Sequence, residues 1–277
     1  MDLIHTVAEL RARLEGESAV VLVPTMGSLH AGHLALVAEA KRHGKCIVTS
    51  IFVNRLQFEP GGDFDRYPRS LEHDCALLRK AGSHVVFAPD EKELYPTHQE
   101  ILVSPPVAAA QLCGDFRPGH FMGVVTVVTK LFNIVAPHTA VFGRKDYQQL
   151  FVIRELVRQL NYDIEVVGVE TRREPDGLAM SSRNSYLSSE ERTSAVRLHQ
   201  NIRRICEQIA KGRRNFDEMC VEAAKDLTAA GWRVDYVAVR NQARLAVPGP
   251  ADRDLVVLGA AWIGKTRLID NLEVRAG

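Results

Sequence analysis

Two histidines three residues apart, His30 and His33, stand where an apolar run gives way to a helical pattern. The run Ala19–Val23 leads straight into Pro24-Thr25-Met26-Gly27-Ser28-Leu29-His30-Ala31-Gly32-His33. At a helix start this spacing lets both imidazoles face one point, where backbone N–H groups and the helix dipole favour an anion. Gly27 and Gly32 remove Cβ atoms where a phosphate chain would approach the backbone. The loop has blander readings: two solvated histidines, or half of a metal site, although a metal wants further ligands that the nearby sequence does not supply. A second phosphate pattern, Gly259-Ala260-Ala261-Trp262-Ile263-Gly264-Lys265-Thr266, matches GxxxxGK[ST] letter for letter. A P-loop must open a helix and feed a βαβ core, yet only Arg267 to Gly277 follow, and Trp262 and Ile263 would crowd the phosphates. A strand–turn–strand is the expectation there.

The elements that must position these residues are legible as alternation. Ala19–Val23, Ile47–Val53, His84–Ala88, Ala140–Phe142 and Ile164–Val169 read as strands, several apolar throughout, as strands covered on both faces are. Between them Gly32–His43, Ser70–Ala81, Gly119–Val135 and Asp146–Leu160 are long enough for helices. Strand–helix alternation predicts right-handed βαβ units in a parallel, doubly wound α/β sheet. Ligands of such sheets gather at the carboxyl ends of strands, which singles out the loops after Val23, Val53 and Phe142. Beyond about Thr171 the style changes. Ser188 and Glu191 fit a capping box opening a helix to about Ala210, and a second helix, Phe216–Ala230, stops at Gly231. Val234–Val239, Leu255–Ala261 and a short strand near Leu268 complete a small α+β domain, with the Glu174–Gly177 turn near its start.

Composition bounds the function classes. At 277 residues, with ~150 per domain as a guide, about two domains are expected. Lys plus Arg number 35 and Asp plus Glu 34, for a net charge of +1, which argues against a nucleic-acid coat protein or a polybasic membrane binder. The longest apolar run, Leu255 to Gly264, falls far short of the ~20 residues of a membrane span. Asp2, Glu9, Glu15 and Glu17 leave no basic-then-apolar leader. The 5 scattered cysteines, with no CxxC pair, read as free thiols in a reducing cytosol. A cytoplasmic protein without membrane or nucleic-acid partners is the expectation.

The motifs VPTMGSLHAGH, SIFVNRLQF, YPRSLEHDC, FRPGHFMGVVTVVTKLFN, GRKDYQQL and DGLAMSSRNSYLS, closed by AAWIGKTRLIDN, follow one another in an order and spacing that resembles the pantothenate synthetases over almost the whole chain. That family belongs to the HxGH nucleotidyltransferases. The resemblance implies a Rossmann-like ATP- and pantoate-binding catalytic domain over residues 1–172. It implies a small α+β domain over 173–277 that carries the Met180–Arg183 loop and acts as a lid. It implies activation of D-pantoate by ATP to pantoyl adenylate, then attack by β-alanine, in a cytoplasmic homodimer. It implies Mg²⁺ held mainly through the ATP phosphates, with no protein metal site.

In such a reaction a carboxylate attacks a polyanion, so the protein must align the two and offset phosphate charge. The resemblance assigns catalysis to His30, His33 and Lys145. It assigns ATP binding to Met26, Gly27, Ser28, Leu29, Ala31 and Gly32 beside the histidines, to Gly143, Arg144 and Asp146 beside Lys145, and to Arg172, Met180, Ser181, Ser182 and Arg183. Without it, Lys145 reads as a solvated cation and Asp146 as a helix cap. Gln57 and Gln149, neutral groups that both donate and accept, would hold pantoate together with Asn54 and Thr25. Tyr67, Arg117 and His120 match family positions around the pocket. Arg55, Arg144 and Arg172 depart from it, standing where the family usually has proline, glutamate and an apolar residue. Arg55 removes a fixed φ that would steady Gln57, and Arg172 replaces an apolar contact to adenine.

Overall fold

In a computed structural model that describes residues 1–59 and 61–277, the β-branched runs become strands and the chain forms two compact units, residues 1–144 with 149–170, and 145–148 with 171–277. The first unit contains β1 (Asp2–Ile4), α1 (Val7–Leu14), β2 (Val20–Thr25), α2 (Ala31–Ala40), β3 (Cys46–Ile51), α3 (Leu71–Ala81), β4 (Val85–Phe87), α4 (Glu91–Leu94), α5 (Cys113–Phe116), α6 (His120–Val135) and β5 (Thr139–Gly143). α7 (Tyr147–Gln159) and β6 (Glu165–Val169) complete its sheet layer. All strand pairings in this sheet are parallel, in the order β1-β4-β3-β2-β5-β6. From β2 the chain winds outward through β3 and β4, then returns to β5 on the other flank. The order therefore reverses between β2 and β5, which makes their carboxyl ends the switch point where ligands of doubly wound sheets bind.

Local sequence explains most of these elements. β2 begins with four fully buried residues, Val20 to Val23, and side chains branched at Cβ suit a strand covered on both faces. α6 is apolar almost all round and buries Phe121, Val124, Val125, Val128, Leu131 and Phe132, as a helix enclosed by its unit must. Three expectations shift. The edge strand β6 is only half-buried, so its apolar run reflects one covered face. β1 was not foreseen, since a three-residue strand carries too short a pattern. α2 ends at Ala40, and a short 3₁₀ turn, Arg144–Asp146, precedes α7.

The second unit holds α8 (Ser189–Ser194), α9 (Val196–Ala210), α10 (Phe216–Ala229) and an antiparallel sheet of β7 (Arg233–Asn241), β8 (Asp254–Ile263) and β9 (Thr266–Arg275). Ser188 and Glu191 form the capping box, but the expected single helix is divided at Ala195 into α8 and α9. Leu198, Ile202, Ile205 and Ile209 recur at helical spacing along α9 and bury with Met219, Leu227 and Trp232. The last strand is ten residues long, not short. The Walker-like run is the β8–β9 hairpin: Ile263 pairs with Thr266, Gly264 turns the chain at φ +54°, and Gly259 lies against Leu198 and Ile202 of α9. No helix follows Lys265, so the phosphate reading of that pattern is excluded.

Candidate active site

The loop leaving β2 is held from beneath by a residue that local reading passed over. Asp74, on α3, is fully buried, and its carboxylate accepts the N–H groups of Ser28 at 2.8 Å and Leu29 at 2.9 Å. Gly27 has φ +80°, and a Cβ there would stand 3.0 Å from Asp74 Oδ2 and 3.1 Å from Ile51. Glycine at 27 is thus required by Asp74 and by the left-handed backbone. Gly27 N–H donates to Thr25 Oγ1, and Thr25 Oγ1 donates to the Ser50 carbonyl. The N–H groups of Gly27, Ser28 and Leu29 are therefore engaged within the protein.

What the loop presents instead is imidazole. His30 caps α2: its Nδ1 accepts Gly32 N–H at 3.1 Å, while His33 Nδ1 accepts His30 N–H at 3.3 Å. The rings lie 4.1 Å apart between centroids. A nitrogen that accepts a backbone N–H carries no proton, so both neutral rings bear theirs on Nε2. Two N–H donors of fixed tautomer at a helix N-terminus suit the oxygens of a phosphate chain.

Gln57 sits in a 3₁₀ turn, Arg55–Gln57, at the carboxyl end of β3. It is buried, and its Oε1 accepts Asn54 Nδ2 at 3.0 Å while its Nε2 donates to Met26 Sδ at 3.1 Å. Asn54 in turn donates to the Gly123 carbonyl at 3.1 Å and accepts Tyr95 O–H at 2.8 Å. Burial, and the neighbouring Glu91, push the Tyr95 phenol up, so it stays a donor at neutral pH. Arg117 donates to His120 Nε2 at 3.1 Å, which leaves Nδ1 as the N–H that meets the Gln57 carbonyl at 2.8 Å. Arg117 and His120 thus grip the backbone of Gln57, and Tyr67 packs edge-on against Phe58 next to it. α6 comes close enough to the turn that a Cβ on Gly123 would strike the Leu56 carbonyl and stand 2.6 Å from Gln57 N.

The departure at Arg55 does not leave Gln57 loose. Asn54 caps the turn through Leu56 N–H, and Arg55 pairs with Glu91 at 3.0 Å and stacks on Phe64 at 3.9 Å. A cavity of about 270 Å³ opens at the carboxyl ends of β3 and β4, with Met26, Gly27, Phe52 and Asp74 in its wall. Across the switch point, β5 ends on Gly143, Arg144 pairs with Glu170 at 2.5 Å, and Gln149 is half-buried on the first turns of α7.

Lys145, Asp146, Arg172 and Met180–Arg183 belong to the second unit. The Lys145 side chain is 19% exposed, with Nζ 3.8 Å from Asp146. The Arg172 side chain is exposed, and its carbonyl accepts Met180 N–H at 2.9 Å, tying the start of the loop to its end. Ser181 caps the 3₁₀ turn Ser182–Tyr186 through Arg183 N–H. Its hydroxyl therefore has a local structural task.

A model of the family described as pantoate-β-alanine ligase matches residues 2–273. Pantothenate synthetase of Nitrosospira multiformis is 56% identical over 274 residues, 99% of this chain and 98% of that one. That of Neisseria meningitidis serogroup C is 55% identical over 276 residues, 99% of each. The solved pantothenate synthetase of Thermus thermophilus superposes with a TM-score of 0.94 at 46% identity, covering 99% of this chain and 100% of that one. A pantoate-β-alanine ligase of Francisella tularensis, solved with βγ ATP and β-alanine, gives 0.78 at 30% identity, covering 98% and 97%. The chain belongs to the pantoate-β-alanine ligase family.

Proposed function

We propose that this chain joins D-pantoate to β-alanine with ATP, giving pantothenate, AMP and pyrophosphate through a pantoyl adenylate. Besides family membership, the observation that carries the reading is the His30/His33 pair at the carboxyl end of β2, each ring fixed through Nδ1 so that its Nε2–H is a donor of the kind phosphate oxygens accept. In the first half-reaction the pantoate carboxylate attacks the α-phosphorus and pyrophosphate leaves. Charge grows on the leaving oxygens, and His30, His33 and Lys145 stabilise it. Gln57, with Asn54, Gln149 and Thr25, orients pantoate through neutral hydrogen bonds, so that its carboxylate rather than a hydroxyl meets phosphorus. In the second half-reaction the β-alanine amine attacks the acyl carbon and AMP leaves.

The groups assigned to catalysis, His30, His33 and Lys145, are imidazole N–H and ammonium, donors that suit phosphate oxygens and offer a divalent cation no oxygen ligand. Mg²⁺ held on the ATP phosphates would supply further charge neutralisation there. Residues 1–172 act as the catalytic domain. Residues 173–277 act as its lid, with the Arg172–Arg183 region on the nucleotide. The enzyme works in the cytoplasm as a homodimer. AMP formation from ATP and pantoate, with and without β-alanine, tests the reading, together with exchange of labelled pyrophosphate into ATP when pantoate is present and β-alanine absent. Synthesis without any exchange would exclude the adenylate. Release of a stable nucleotidyl product indifferent to β-alanine would make the chain another kind of nucleotidyltransferase.

A further inference from the structure

The last strand bears polar side chains whose partners include Arg173, Lys145 and Tyr147, in or beside the segments assigned to the nucleotide. Asp270 is 5% exposed and forms a two-point ion pair with Arg173, Oδ2 to Nη1 at 2.7 Å and Oδ1 to Nη2 at 2.9 Å. Arg173 also closes its own turn by donating to the Gly177 carbonyl at 3.1 Å, and His199 Nδ1 lies 3.1 Å from Asp270 Oδ2. The neighbouring Asn271, 6% exposed, donates through Nδ2 to the Lys145 carbonyl at 2.9 Å. Two residues on, Glu273 accepts Tyr147 O–H at 2.9 Å. Asp270 Oδ1 further accepts Asn271 N–H at 2.8 Å, so the two anchors are themselves linked.

Buried carboxylates and amides are costly to keep unless their partners matter to the fold or the site. Here one stretch of strand grips the Arg172–Arg183 region through Arg173 and the Lys145–Gln148 segment through two separate bonds. A β-strand that holds both a loop and the start of a helix fixes the spacing of the two, which the loop on its own does not do.

We infer that Asp270 and Asn271, side by side on β9, are positioning residues that set the nucleotide loop and the Lys145 segment in register for ATP. The inference rests on the ATP role proposed above for those two segments. Neither residue touches substrate in this scheme. Each acts through the backbone or side chain it holds.

The test measures KM separately for ATP, pantoate and β-alanine in Asp270→Asn, Asn271→Ala and Arg183→Ala, with a thermal melt of each. Asp235→Asn serves as control: Asp235 is a buried ion-pair partner of Arg267 at 2.7 Å on the same sheet, and its partners Arg267 and Trp262 lie outside both segments. Asp270→Asn and Asn271→Ala should each raise the ATP KM at least tenfold while leaving the other two within threefold. Asp235→Asn should lower the melting temperature and leave all three. The double variant Asp270→Asn/Arg183→Ala should bind ATP no worse than Asp270→Asn alone, because the displaced loop has already lost the Arg183 contact. If Asp270→Asn does not fold, Asn271→Ala decides the matter. If Arg183→Ala weakens ATP binding and folded β9 variants do not, the positioning inference is overturned while the assignment of the loop stands. If Arg183→Ala itself leaves the ATP KM unchanged, the loop is not a nucleotide loop and both readings fall.

Discussion

Replacing Gly123 by alanine is a sharp probe of how the pantoate pocket is built. The new Cβ would run into the Leu56 carbonyl and stand 2.6 Å from Gln57 N, so α6 and the Arg55–Gln57 turn must part by about 1 Å to reach ordinary contact. Overpacking of this kind costs about 1–3 kcal/mol. At roughly 2–4 °C per kcal/mol for a protein near this size, the melting temperature should fall by roughly 2–12 °C. The separation also strains the bond from Asn54 Nδ2 to the Gly123 carbonyl, 3.1 Å long, which fixes the side chain that holds Gln57 Oε1. A displacement of about 1 Å at a positioning group lowers catalysis by roughly 10²-fold. Steady-state kinetics should place that loss in kcat/KM for pantoate, with the ATP KM within a few-fold. Val124→Ala, a deletion at a neighbouring buried position of the same helix, separates stability from positioning: it should lower the melt by a similar amount and spare pantoate. A folded Gly123→Ala enzyme with unchanged pantoate kinetics would refute the reasoning, and Gln57→Ala measured beside it would show whether the packing or the assignment of Gln57 had failed.

His33→Ala should lower kcat more than it raises the ATP KM, because a donor that strengthens as charge develops is worth roughly 2.7–4 kcal/mol in the transition state; a kcat near wild type would remove His33 from catalysis. Lys145→Ala should cripple pyrophosphate exchange, whereas Lys265→Ala, on the β8–β9 turn, should stay within a few-fold of wild type, and the reverse pattern would overturn both assignments. Arg144→Glu exchanges an ion pair with the exposed Glu170 for two facing carboxylates and should leave activity within tenfold; a hundredfold loss would place Arg144 in the site. Burial pushes the Asp270 carboxyl up, but hydrogen bonds from His199 and Arg173 outweigh it and hold the pKa below the ordinary value. Its stabilisation is therefore present above the unfolded pKa of about 3.9 and lost as pH falls through the lower folded value. The gap in melting temperature between wild type and Asp270→Asn should be steady above about pH 5 and close on further acidification, and a gap that widened in acid would contradict this.

Local sequence carried what depends on near neighbours. The unbroken apolar runs Val20–Val23 in β2 and Ala140–Phe142 in β5 announced strands covered on both faces, and the Ser188/Glu191 box and the His30/His33 cap lie within a single helical turn. The doubly wound class and the loop after β2 as a site follow from those signals together with the handedness of βαβ units. The order β1-β4-β3-β2-β5-β6 does not follow, because neighbouring strands leave no periodicity that names their partner. Nor does the role of Asp74, whose two N–H donors lie more than forty residues upstream, or that of Gly123, whose missing side chain matters only because Leu56 packs against it. The same separation hid the partners of Arg173 and Lys145 on β9, and the carboxylate that takes up the N–H groups of Ser28 and Leu29. Burial pattern and capping are written in the spacing of residues along the chain, but the partner of a buried polar group is chosen by packing, and packing brings together residues whose separation in sequence carries no signal.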